Sequence, residues 1–156
     1  MKKLFLCTIL SSFIFSNTSS AQGRNKPKQS ILLTTYLQLK DNLVKSDSTA
    51  ARLAARDLVV LFKESVLNIP VNIKSSILIE AEAMSISDDL QMQRAKMPAL
   101  SELMFTLAKQ ISLTHQPIYQ QYCSMQNATW LSLEKEINNP YYGSEMLICG
   151  EVKATL

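Results

Sequence analysis

Apolar residues along this chain change rhythm once. Between residues 32 and 111 they recur at steps of three and four, the spacing that stacks side chains on one face of a helix. Leu32, Tyr36, Leu39 and Leu43 make the first stripe and predict a helix over about 30–45. A second is predicted over 48–66, with Ser48 as its cap and Ala51, Ala54, Leu58, Leu61 and Phe62 facing inward. Asn68-Ile69-Pro70 interrupts the pattern, and proline suits a helix start because its missing N–H would be unpaired there anyway. The third helix then covers 70–86, with Ile73, Ile77, Ala81 and Met84 on its buried face. Asp88 followed by Gln91 has the form of a capping box and opens a fourth helix over 88–112, carried by Leu90, Met97, Leu100, Met104, Leu107 and Ile111. Pro98 falls inside it, where the ring clashes with the carbonyl of Arg94, so a kink or a later start is expected near Arg94.

After Ile111 the helical period is lost and aromatic residues, prolines and glycines take over. Residues 117–156 therefore read as a separate layer. Ile118 to Cys123 predicts a short strand, and Glu151 to Leu156 alternates well enough to pair with it. One helical turn is expected between Ser144 and Cys149, stopped by Gly150, and Asn138-Asn139-Pro140 marks a turn. Trp130, Tyr141 and Tyr142 supply the aromatic core of this layer. The predicted fold is mainly α: a four-helix antiparallel bundle with a small C-terminal subdomain, a short β-hairpin plus one helical turn, in a single domain over 30–156.

Ahead of the first helix, Lys2-Lys3, an apolar run from Leu4 to Phe15 and Ser19-Ser20-Ala21 have the order of an export signal, with cleavage expected after Ala21. That predicts a signal peptide over 1–21 which takes Cys7 with it, a flexible leader over 22–29, and a periplasmic or secreted mature protein. Nothing after the signal approaches the roughly 18 to 20 apolar residues of a spanning helix, so no transmembrane segment is expected in the mature chain. The formal charge of +3 falls by two once Lys2 and Lys3 leave, and the remaining cations are dispersed, so no nucleic-acid partner is expected. Glycines at 23, 143 and 150 are too few and too scattered for phosphate-cradling loops. His115 is the one histidine, with no serine motif or second donor near it, and reads as a surface or hydrogen-bonded side chain. No catalytic constellation emerges, and the expectation is a protein that is not an enzyme.

Sulfur is the remaining chemistry. Cys123-x-Met125 and Met146-x-x-Cys149 each place two donors within two or three residues. On a strand, residues 123 and 125 share a face, and on a helical turn 146 and 149 do too. Brought together, Cys123, Met125, Met146 and Cys149 would make a cage of two thiolates and two thioethers, which selects copper(I) or silver over hard cations. The same two cysteines in an oxidising compartment are equally the material of a Cys123–Cys149 disulfide, contributing about 3 to 4 kcal/mol in the chain-entropy account.

Tyr122-Cys123-x-Met125, Trp130-Leu131-Ser132, Glu134 to Ile137, Asn139-Pro140-Tyr141-Tyr142-Gly143, Met146-Leu147 and Cys149-Gly150-Glu151-Val152 resemble the signature of a bacterial exported domain of unknown function, numbered thirty-three forty-seven. Upstream, Tyr36-Leu37-x-Leu39-Lys40-Asp41, Gln93-Arg94 and Leu100-Ser101 fit the same family, so that the resemblance spans about Ser30 to Leu156. Ser124 stands where the family pattern has proline. The resemblance implies a helical domain found alone or on periplasmic adaptor subunits of copper/silver-type heavy-metal efflux systems, with Cys123, Met125, Met146 and Cys149 as metal ligands. The function expected from it is an accessory that binds or transfers copper(I) or silver, with an efflux adaptor or another envelope protein as partner. The alternative is a structural or interaction module of the envelope whose cysteines are bridged.

Overall fold

The computed structural model describes residues 26–156. The expected signal peptide and residues 22–25 of the expected leader lie outside the described residues. Four helices, α1 (Lys26–Val44), α2 (Ser48–Glu64), α3 (Val71–Ser85) and α4 (Leu90–Gln110), are joined by short connections, and each packs on the next. Helix α1 starts four residues before the predicted boundary, because nothing between Lys26 and Ser30 breaks it and Pro27 falls in the first turn, where proline is tolerated. None of the four is long and apolar enough to cross a membrane.

The predicted stripes are the buried ones. Leu32, Tyr36, Leu39, Leu43, Ala51, Ala54, Leu58, Phe62, Ile73, Ile77, Ala81, Met84, Met97, Leu100, Met104 and Leu107 all belong to one core, whereas Leu61, Leu90 and Ile111 of the same stripes are only partly buried at its margin. Alanines on α2 let α1 and α3 approach closely from either side. Two caps are set one residue from where they were expected. Asp47, not Ser48, accepts the N–H of Ala50 at 2.9 Å. Asp89, not Asp88, accepts from Gln91 and Met92, while Asp88 turns outward to Arg52 at 2.8 Å. In both places two capping-competent residues stand side by side, and the one whose backbone leaves the helix takes the role. Helix α4 runs through Pro98 without interruption, so the expected start at Arg94 does not occur.

Beyond the helices lie β1 (Tyr119–Cys123), β2 (Ala128–Ser132), a 3-10 turn (Gly143–Glu145) and β3 (Glu151–Thr155). The strands form an antiparallel sheet in the order β2-β1-β3. The expected pairing of β1 with β3 is present, with Tyr119 opposite Thr155, but the subdomain is a three-stranded sheet, not a hairpin. Strand β2 was not anticipated. All five of its residues are buried, which erases the period-two alternation by which a half-buried strand is read. It lies against α4, and two tyrosine hydroxyls meet the outer edge of its backbone. Tyr36 of α1 accepts the N–H of Leu131 at 3.1 Å and shares a 2.7 Å hydrogen bond with Ser101 Oγ of α4. The carbonyl of Thr129 accepts from the Tyr141 hydroxyl. The open edge is thereby satisfied by Tyr36 from the helical layer and by Tyr141 from the subdomain itself, and burial drives both phenols far above their usual range.

Trp130 and Tyr141 meet edge to face, 5.9 Å between ring centres, and form the aromatic core of the subdomain as expected, while Tyr142 is half-buried. The junction with the helices is held by Arg94, whose Nε donates to Pro140 O at 2.9 Å and whose Nη2 donates to Leu43 O at 3.0 Å and Ser46 Oγ at 2.9 Å. Helix α1 ends there in a Schellman arrangement. Asp47 N–H reaches Asn42 O, Ser46 N–H reaches Leu43 O, and Ser46 takes the left-handed φ of 58° that this ending requires.

Candidate functional site

Strand β1 ends at Cys123, and residues 124–127 reverse the chain into β2. Asn127 makes the turn with a φ of 52°, its N–H reaching Ser124 O and its side chain accepting from the Tyr122 hydroxyl at 3.0 Å. On the other side of β1, Tyr122 pairs with Glu151, so the residues just before β3 come alongside the end of β1. Gly150 makes that approach possible. Its φ is 153°, and a Cβ there would lie 2.9 Å from both the Trp130 ring and Tyr122 O. The preceding residue, Cys149, is thus delivered to Cys123, with 3.5 Å between the two Sγ atoms.

That distance belongs to two thiols in contact, since a bond would bring them to about 2.0 Å. Both cysteines are free. Cys123 is fully buried, and Cys149 is half-buried on a turn closed by its N–H to Met146 O at 3.1 Å. Burial alone would push the Cys123 thiol up. It is outweighed by hydrogen bonds that favour the anion, from the N–H of Gln126, the Cys149 thiol, the Asn139 amide and the N–H of Met125, and the net shift is downward. Cys149 is raised, first by donating its proton to Cys123 and then by burial. The pair therefore holds one proton tightly between the sulfurs and releases the other readily.

The four predicted sulfur donors are placed unequally. Cys123 and Cys149 meet. Met146 lies on the turn that presents Cys149 and is half-buried, whereas Met125 is 65% exposed on the hairpin turn. Strand alternation was expected to align Met125 with Cys123. The chain leaves the strand at 124, so it is the backbone N–H of Met125 that faces the Cys123 sulfur. His115 is exposed on the connection between α4 and β1. Among the described residues no group of three or more His, Cys, Asp or Glu side chains gathers. A cleft of about 200 Å³, lined by Tyr122, Ser124, Gly150 and Glu151, opens beside the chain neighbours of the two cysteines.

One positioning residue was missed by the sequence reading. Asn139, read there as part of a turn and of the family signature but given no role at the site, is fully buried and donates from Nδ2 to Cys149 O at 2.8 Å, while its Oδ1 accepts the N–H of Tyr141 at 2.8 Å. Its own N–H reaches Leu147 O, so one side chain and one peptide fix the loop that carries Cys149. The available signal was its place ahead of Pro140, where an Asx side chain often bonds two residues on. Arg94 acts further out, clamping Pro140 to α1 and thereby setting where Asn139 sits.

No curated protein and no solved structure matches this chain. A family match covers residues 32–116, which is the helical part from α1 to the connection before β1, and it stops short of the sulfur pair although the sequence resemblance extended to Leu156. Because that match spans more than half of the 156 residues, the chain belongs to the family described as Protein of unknown function (DUF3347).

Proposed function

We propose that this protein binds soft monovalent metal ions, copper(I) or silver(I), between Cys123 and Cys149, and serves as an exported accessory that holds or passes on such ions. The observation that carries this reading is the 3.5 Å separation of two reduced sulfurs delivered from different parts of the fold. At metal–sulfur distances of about 2.3 Å, two sulfurs so spaced subtend an angle of about 100° at a shared ion, a bent arrangement that leaves room for further donors. Met146 is the nearest in chain and on the same turn, and Met125 on the adjoining hairpin is free to fold over the ion. Thioethers beside thiolates favour soft cations. The N–H groups of Met125 and Gln126 already stabilise the anion at Cys123, so less proton competition opposes ligation there, while the proton held on Cys149 must be displaced by the ion. A partly exposed Cys149 gives the ion a way in and out, as transfer to another envelope protein such as an efflux adaptor requires.

The test is a copper(I) titration of the reduced protein against a competing chelator, beside a Cys123→Ser, Cys149→Ser variant. We expect one equivalent to bind and the variant to lose at least about a hundredfold in affinity, the loss of two soft ligands. Met146→Leu should weaken binding less, by about tenfold. Equal affinities for the wild type and the double cysteine variant would end the proposal.

A further inference from the structure

We propose that the Cys123–Cys149 pair also undergoes thiol–disulfide exchange with small organic disulfides, Cys149 being the attacking thiol and Cys123 the resolving one. Access decides the order. A thiol must reach a disulfide along the line of its S–S bond, and the rate depends on that access as well as on thiolate character. Cys123 has no exposed surface, enclosed by the hairpin turn and the buried Asn139. Cys149 is partly exposed between Ile148, 82% exposed, and Gly150, which lines the neighbouring cleft. Hydrogen bonding favours the anion on Cys123, yet an incoming disulfide meets Cys149 first.

The second step is already set up by distance. Once Cys149 carries the incoming group, its sulfur stands 3.5 Å from Cys123 Sγ, and bond formation needs a closure of about 1.5 Å. Asn139 holds the main chain of the turn from Met146 to Cys149 at Leu147 O and Cys149 O, so the closure falls to rotation of the two cysteine side chains. In balance, Cys149 Sγ attacks one sulfur of the disulfide, forms the mixed disulfide and expels the first thiolate. Cys123 Sγ then attacks Cys149 Sγ and expels the second. The two cysteines are oxidised, the small disulfide is reduced, and the two protons the cysteines give up end on the two departing thiolates. Since the product spends both donors on each other, oxidation and ion binding exclude one another, a consequence that rests on the reading proposed above.

The experiment uses the full chain in a Cys7→Ser background, reduced, kept free of oxygen and mixed with oxidised glutathione, with the products followed by intact mass and peptide mapping. Wild-type protein should proceed to the internal disulfide without accumulating adduct. Cys123→Ser should stop as the glutathione mixed disulfide on Cys149, and Cys149→Ser should react at least about tenfold more slowly, its remaining thiol being shielded. Equal rates for the two variants, or a wild type that accumulates adduct, would overturn the proposal. A brief pulse of a small alkylating reagent on the unsubstituted pair gives a second reading that needs no variant: labelling at Cys149 first agrees, and at Cys123 first overturns it. Silver(I) binding to the reduced protein is measured separately. Exchange in the stated order without silver uptake leaves the exchange standing and removes the ion reading, whereas silver uptake with the order reversed does the opposite.

Discussion

Replacing Tyr36 with phenylalanine tests how the helical layer holds the sheet that carries the cysteines. The hydroxyl is fully buried, accepts the N–H of Leu131 at 3.1 Å and shares a 2.7 Å bond with Ser101 Oγ. Phenylalanine keeps the ring and removes both bonds. Ser101 can turn back to a carbonyl of its own helix, so its loss is small. Leu131 N–H has no such recourse, because it points off the edge of β2 into the interface with the helices, where a stranded donor costs about 1 to 3 kcal/mol. With little lost at Ser101, the expected loss is about 2 kcal/mol, or about 7 °C in Tm for a domain of this size. Urea unfolding followed by fluorescence of Trp130, the one tryptophan and the neighbour of Leu131, is the direct assay. The slope with denaturant should stay as in the wild type, since the surface exposed on unfolding is nearly unchanged. Tyr122→Phe is the control, because its hydroxyl meets Asn127 at the surface and its loss should cost less than about 1 kcal/mol. A Tyr36→Phe variant no less stable than that control would refute the argument that this hydroxyl satisfies the sheet edge.

Three further outcomes follow from the site. Gly150→Ala combines a φ of 153° with a Cβ 2.9 Å from the Trp130 ring and Tyr122 O, so it should destabilise the fold by about 2 kcal/mol and slow closure of the Cys123–Cys149 bond, both measurable on one preparation. In the reduced wild type, ultraviolet titration should show the first thiol proton leaving below the ordinary thiol range and the second above it, the raised and lowered values belonging to the pair. Asn139→Asp keeps the acceptor for Tyr141 N–H but withdraws the amide donor and adds a negative charge, so the first step should move up, and an unmoved first step would show that Asn139 does not stabilise the anion.

Much of the fold was legible because helix signals are local. The stripe Leu32, Tyr36, Leu39, Leu43 and its three successors can be read in windows of a few residues, and burial selects those positions. Strand β2 escaped because both of its faces are covered, so its residues carry no alternation to read. The capping residues were displaced by one because Asp47-Ser48 and Asp88-Asp89 offer two suitable side chains each, and only the path of the chain chooses between them. At the site, residue type and spacing singled out Cys123 and Cys149. They could not reveal Asn139, whose partners depend on how the loop folds back, nor the turn at 124 that sends Met125 outward.

What the amino-acid order determined by itself was the helical layer, its inward faces and the chemistry of the candidate donors, all of which depend on neighbours within one or two turns. The tertiary structure alone decided the 3.5 Å between the sulfurs, the asymmetry of their exposure and the pairing of Tyr36 with a strand 95 residues away. Those depend on contacts between segments far apart in the chain. A distance across the fold is set by packing and register, and neither is written in the residues at its two ends.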